Sequence, residues 1–271
     1  MIDRLKSSTG RSIFGADVMG YHGARVGYPE QLYEAIASRF GSRRIDDIGE
    51  IGPGTGLASA RLARFSPQRF VGFEPDPSLV AHLCETVPAM QVIHADFVDA
   101  EVEGGFDLIA AAACFHWLEP VAALAKVHRL LRPGGCVALW WNVYREAGIG
   151  DPFAEAVLPL LDGIALPPSE GASGHYSLDW KLHFRQLVDV GFIDLQSFIF
   201  RRERVLTPPM ARDLYASFSF VRALEQGRRE ALLDAIADLV SDRFNGSAPT
   251  IILTPMYLAA KLADEGQDTG S

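Results

Sequence analysis

Glu50-Ile51-Gly52-Pro53-Gly54-Thr55-Gly56 decides how this sequence folds. Before it, Ile45-Asp46-Asp47-Ile48 reads as a β-branched stretch within a strand predicted over 44–51. After it, Leu57 to Phe65 carries apolar residues at 57, 58, 62 and 65, the spacing of a helix. Strand, glycine turn and helix make half of a nucleotide-binding βα unit. Glycines at alternate positions let the backbone turn sharply and let a ligand approach without meeting a Cβ. The helix then aims free N–H groups at whatever lies over the turn. A G-x-G-x-x-G fingerprint would need glycine at 57, where leucine stands, and no Gly-Lys-Ser/Thr of a phosphate loop occurs. What remains is E-x-G-x-G-x-G, with a plain structural turn as the alternative reading.

The residues downstream favour the ligand. Phe70 to Glu74 reads as a second strand, over 69–74, ending in an acid. An acid there can accept hydrogen bonds from both ribose hydroxyls of an adenosine over the turn. A third strand, over 90–94, precedes Ala95-Asp96-Phe97, where a carboxylate suits the exocyclic amine of adenine and the aromatic neighbour suits its face. Strands over 106–112 and 135–144 and helices over 29–40, 77–86 and 119–131 continue the alternation, which implies a parallel sheet covered on both faces. Ligand then belongs at the carboxyl ends of the strands, beside the first. Glu74, Asp96 and His116 all follow strand ends, so one rim should hold them.

Together these motifs resemble the class I S-adenosylmethionine-dependent methyltransferases, over roughly residues 20–262. Tyr21 to Pro29, Phe115-His116-Trp117 and the tail from Thr207 to Leu262 resemble the small-molecule branch that includes trans-aconitate methyltransferase. Val26 stands where the family often has proline, and Pro53 where a cysteine or small residue is more usual. The resemblance implies an α/β, Rossmann-like, doubly wound, seven-stranded and mostly parallel sheet with an antiparallel last strand and a helical cap over the acceptor pocket. It implies one domain, 1–271, with a core of about 20–144 continued by 180–205 and 249–262, and lid or cap segments at about 145–179 and 206–248. S-adenosyl-L-methionine is the implied cofactor, held by Tyr21, Arg25, Glu50, Gly52, Gly54, Gly56, Glu74, Pro75, Asp96 and Phe97. In the family Tyr21 packs near the sulfonium and Arg25 near the carboxylate; a surface charge is the alternative for Arg25.

The acceptor implied is a small molecule, methylated on an oxygen of a carboxylate or a hydroxyl. His116 is the best-placed titratable group, and an ordinary pKa of about 6.5 suits a general base. A hydrogen-bonded wall of the pocket is its alternative role. Trp117, Trp141 and Tyr144 are expected to line the acceptor; by alternation, one of Trp140 and Trp141 faces the pocket and the other a helix. Cys114 has no recognisable basic partner to make it a nucleophile. A cofactor-binding regulator without catalysis, or a methyltransferase acting on an amine or carbon, are the competing functions.

The 271 residues are 48% hydrophobic and 22% charged, with net charge −9. An acidic chain without a basic stripe is a poor partner for nucleic acid, and Glu203 interrupts its densest basic run, Arg201-Arg202-Glu203-Arg204. Cys84, Cys114 and Cys136 lack CxxC spacing, which argues for a reducing compartment and against a metal site. With no signal-like N-terminus and no apolar run of membrane-spanning length, the expectation is a cytoplasmic monomer or homodimer. Residues 1–16 are expected to be poorly ordered or to fold over the site only when ligand is present, and the last nine to be poorly ordered. Later elements are helices over 152–161, 180–190 (closed by Gly191) and 228–244, and a strand over 192–200. A helix is capped by Thr207, and a strand over 250–260 has Pro255 inside, which points to a bulge or an edge.

Overall fold

The computed structural model of the chain describes residues 25–146, 148–165, 170–171 and 174–263. Tyr21 and the expectation for residues 1–16 lie outside them. Helix α1 spans Glu30–Phe40, and strand β1, Asp47–Ile51, leads into the glycine turn. The helix after the turn is short: α2, Ser59–Leu62, tightens into a 3₁₀ turn and stops at Ser66, whose φ is 53°. Then come β2 (Arg69–Phe73), α3 (Pro77–Thr86), β3 (Gln91–Ile93), β4 (Phe106–Ala112), α4 (Pro120–Leu130) and β5 (Leu131–Trp140). After α5 (Pro152–Val157) and a two-stranded hairpin follow α6 (Trp180–Val188), β6 (Ile193–Leu206), α7 (Pro208–Ala216), α8 (Gln226–Arg243, after one short helical turn) and β7 (Ala248–Ala260).

Helix starts follow a local rule. Asp76, Glu119 and Asp151 each precede a proline and accept hydrogen bonds from backbone N–H groups of the first turn, at Ser78 and Leu79, Ala122 and Ala154 respectively. The carboxylate satisfies orphan donors while proline fills a position whose N–H has no partner anyway. Thr207 is different. It occupies the N-cap of α7 but makes no side-chain cap bond, and Pro208 and Pro209 remove the first two donors of that turn.

The described residues form two compact units. The first comprises those within Tyr28–Trp141, Asp179–Ile199 and Pro255–Ser271. Its seven-stranded sheet has the order β3-β2-β1-β4-β5-β7-β6. Strands β1 to β5 run parallel and β7 lies antiparallel to β5. Strand order reverses at β1, so a crevice opens above the carboxyl ends of β1 and β4. The middle of the sheet is buried on both faces, as Ile48, Leu108, Ile109 and Val137 show.

At the opposite end, the buried Asp107 carboxylate accepts from Asp46 N–H (2.8 Å) and Asp47 N–H (2.9 Å) and pairs with Arg132. Three expectations need correction here. Strand β5 ends at Trp140 rather than 144, and β6 extends to Leu206 rather than 200. Pro255 marks neither an edge nor a bulge: β7 is interior, and Trp141 N–H donates to Pro255 O (3.2 Å) in the register of the preceding pairs. Only the return bond, for which proline has no donor, is lost.

The second unit comprises described residues within Met1–Gly27, Asn142–Leu178 and Phe200–Thr254. Its core gathers Phe153, Val157, Leu206, Leu214, Tyr215, Val221, Ile236 and Val240. Asp151 pins it together: one oxygen caps α5, and the other accepts from Thr250 Oγ1 (2.8 Å) and Ile251 N–H (2.7 Å). No helix among the described residues is long and apolar enough to cross a membrane.

Candidate functional site

The three glycines of the turn all have positive φ, 57° at Gly52, 59° at Gly54 and 80° at Gly56. Their surroundings differ. A Cβ on Gly52 would meet Cys114 Cβ at 2.8 Å, and one on Gly56 would meet Val87 and Leu83 at 3.1 and 3.3 Å. At 52 and 56, neighbouring protein atoms as well as the backbone conformation require glycine. Over Gly54 a Cβ would meet nothing nearer than Gly52 O at 4.0 Å. That is the open side of the turn.

Glu74, 4% exposed at the end of β2, ties the turn to its neighbour. Gly54 N–H donates to its Oε2 (3.0 Å) and Asp76 N–H to its Oε1 (3.0 Å). Both carboxylate oxygens thus accept backbone bonds beside the turn.

Glu50 is wholly buried, and neither of its oxygens makes a hydrogen bond. Burial pushes its carboxyl up to about 8; Ser59 pulls it down in part and the charge of Glu74 pushes it further up. Neither the Ser59 hydroxyl nor Glu50 has a bond of ordinary geometry, so the Ser59 contribution is weak. A carboxyl so placed holds its proton at neutral pH.

After β3, His94 Nε2 donates to Pro75 O (3.1 Å), and Asp96 O accepts from Asp99 N–H (3.1 Å) and Ala100 N–H (2.9 Å). Asp96 is half-buried at the start of this turn. Phe97, expected to pack on the adenine face, is 1% exposed and meets Phe73 edge to face at 5.2 Å.

Past β4, Ala113 adopts φ 55°, rare for a side-chain-bearing residue, and turns the chain into Cys114-Phe115-His116-Trp117. The Cys114 thiol donates to Ile51 O at 2.8 Å, a structural use rather than a nucleophile's. His116 is exposed and lies 5.0 Å, ring to ring, from the half-buried Trp117. Behind it, Trp141 Nε1–H donates to His116 Nδ1 at 3.2 Å. With Nδ1 engaged as an acceptor, neutral His116 carries its proton on Nε2. Its second nitrogen is a donor. This is at odds with the general-base reading, which needs a bare nitrogen facing the acceptor.

Trp141 itself is 2% exposed and packs on His183 (5.1 Å) and Tyr257 (6.3 Å), so it backs His116 and lines nothing directly. Burial also pushes the Tyr257 phenol up. Trp140 is fully buried against Tyr28 and Tyr33.

The first unit thus gathers Glu50, the turn, Glu74, Pro75, Asp96, His116, Trp117 and Trp141 around one strand-end rim. Arg25 and Tyr144 belong to the second unit, with each other. Arg25 Nη2 donates to Ser217 O (3.1 Å), and the guanidinium lies 4.7 Å from the Phe218 ring centroid and 5.3 Å from that of Tyr144. It is a stacked, half-buried cation rather than a plain surface charge. The Tyr144 ring is buried against Phe218 and offers no open wall.

Sequence reading passed over Lys126, whose buried ammonium donates to Val98 O (3.0 Å) and Ala100 O. A lysine on the apolar side of α4 was its one signal. Among the described residues no three of His, Cys, Asp and Glu are grouped to hold a metal ion.

Residues 49–139 match the family described as a methyltransferase domain. An uncharacterized methyltransferase-like protein of Schizosaccharomyces pombe is 28% identical over 231 residues, 84% of this chain and 86% of that one. The trans-aconitate 2-methyltransferase of Methylobacterium nodulans is 31% identical over 97 residues, 35% of this chain and 37% of its own. A solved structure from Anaeromyxobacter dehalogenans, proposed as a type II methyltransferase, has a TM-score of 0.64 at 20% identity and covers 89% of this chain and 99% of that one. At that identity the likeness speaks for the fold.

Proposed function

We propose that the chain is an S-adenosylmethionine-dependent methyltransferase whose acceptor is a small molecule methylated on oxygen, a carboxylate in preference to a hydroxyl. When bound, the cofactor supplies a methyl group already activated by the sulfonium charge. The residues present fit it: Gly54 leaves the turn open, Glu74 sets a buried carboxylate beside it at the end of β2, and Asp96 suits the adenine amine. Alignment of donor and acceptor then contributes about 7–11 kcal/mol to catalysis. The protein's remaining task is to hold one acceptor oxygen and to deal with its proton, if it has one.

The observation that carries the carboxylate is the bond from Trp141 Nε1–H to His116 Nδ1. A hydroxyl, with a pKa of about 10 or more, must lose its proton as it attacks and needs a base. A carboxylate has none to lose at neutral pH. It needs a donor that orients it, and Nε2–H of neutral His116 is one.

Screening small carboxylic acids, alcohols, phenols and amines with labelled cofactor tests the class. His116→Gln tests the role, because the glutamine amide keeps a donor near the Nε2 position. Turnover should stay within about tenfold of wild type, with the change mainly in acceptor KM and no lost pH limb. A fall of about a hundredfold or more in kcat, with loss of a limb at about pH 6–7, would restore the base and the hydroxyl. An amine or a carbon as the efficient acceptor would end the oxygen reading.

A further inference from the structure

We propose that Lys126 is a positioning residue for adenine recognition, holding from α4 the loop that presents Asp96. The proposal rests on the reading above, in which the cofactor's adenine meets Asp96. Lys126 sits in the middle of α4, 7% exposed, with its Nζ donating to the carbonyls of Val98 and Ala100. Its ammonium also lies 5.2 Å from the Phe97 ring centroid. One cation therefore meets Phe97, Val98 and Ala100 of a five-residue turn that Asp96 O closes by accepting from the N–H groups of Asp99 and Ala100. At the near end, His94 fastens the loop to Pro75. Asp96 sits between these two fixed points.

The choice of lysine is informative. If the position only needed filling, methionine would fill it without removing a charge from water. Burial pulls the lysine below its ordinary pKa, with Arg129 adding to the effect and Asp99 and Glu101 opposing it. The carbonyls of Val98 and Ala100 and the face of Phe97 are what a buried ammonium can use in place of water. All three belong to the loop. None belongs to another helix or to the sheet, so the desolvation is spent on the loop's shape. A carboxylate distinguishes a 6-amino from a 6-oxo purine only if it is held at hydrogen-bond distance and angle. The expected consequence of losing Lys126 is therefore lost discrimination at the purine, not merely a weaker fold.

Titration calorimetry with S-adenosylhomocysteine and S-inosylhomocysteine, on wild type, Lys126→Met and Lys126→Arg, tests this. Wild type should prefer the adenosyl ligand by about tenfold or more, the usual result of one mismatched hydrogen bond. In Lys126→Met the preference should fall to about twofold or less, through loss of affinity for the adenosyl ligand alone. Lys126→Arg, which keeps charge and donors, should restore most of it. If Lys126→Met does not fold, Lys126→Gln, which keeps one donor, replaces it and should fall between. An unchanged preference, or equal weakening of both ligands, would overturn the positioning role while leaving the methyl donor intact. A wild type that bound neither ligand would overturn both readings.

Discussion

Replacing Glu50 with glutamine should stabilise the ligand-free protein by an amount that grows with pH. Glu50 is wholly buried without a hydrogen bond to either oxygen, and its carboxyl titrates at about 8 instead of 4.5, chiefly because burial disfavours the charge. Below about pH 4.5 the group is protonated in folded and unfolded chains alike and contributes no difference. Between 4.5 and 8 the unfolded chain has released the proton and the folded one retains it. The folded state then binds more protons, so stability falls as pH rises and levels off above 8. At about 1.4 kcal/mol per pH unit the full interval amounts to about 5 kcal/mol, an upper figure because water drawn to the ionised group relieves part of it. Glutamine removes the titration. A buried amide has an unpaired cost of its own, about 1–3 kcal/mol, but that cost is constant with pH. The slope is therefore the readout. Urea unfolding of both proteins at about pH 5.5, 6.5, 7.5 and 8 should give stabilities whose difference widens by about 2–3 kcal/mol in favour of the variant. Parallel curves across that range would mean that Glu50 is ionised in the folded protein, and the reasoning from its burial would fail.

The glycine turn allows a paired comparison. Gly52→Ala places a Cβ 2.8 Å from Cys114 Cβ at a left-handed φ and should cost about 2–5 kcal/mol in urea unfolding. Gly54→Ala, at a similar φ but with open space above it, should cost only about 1–2 kcal/mol yet weaken S-adenosylhomocysteine binding by about tenfold or more by calorimetry. Thr207→Ala should cost less than about 0.5 kcal/mol because its hydroxyl caps nothing, whereas Asp179→Ala, which removes a bond from Leu182 N–H (3.0 Å), should cost about 1 kcal/mol.

The sheet and its rim were readable because they depend on local signals that agree: β-branched runs, a glycine turn between strand and helix, and acids at strand ends. The sequence could not separate the tasks of the three glycines. Positive φ is a property of each residue, but the reason for it lies in Cys114, Val87 and Leu83, which are distant in sequence. His116 was found by its place after β4, yet its role depends on which nitrogen carries the proton. That is fixed by Trp141, 25 residues away and just past the end of the next strand. Phe97 and Tyr144 were misjudged for one reason: an aromatic near a ligand motif and an aromatic in the core look alike until burial is known. Pro255 was read from its missing donor, but an interior strand can lose one ladder bond where its neighbours keep theirs.

The contact between Cys114 and Gly52 bears on how this site can diverge. The side chain after β4 fills the volume that a Cβ at 52 would need, and its thiol holds the carbonyl of Ile51 just before that glycine. Positions 52 and 114 therefore share one space and must change together. At the left-handed φ of Gly52 any side chain is strained, and one placed there would also need the space that Cys114 fills. Two positions away from Cys114 stands His116. On the proposed reading, changes in the segment after β4 that reach the acceptor are thus filtered by a glycine of the cofactor turn.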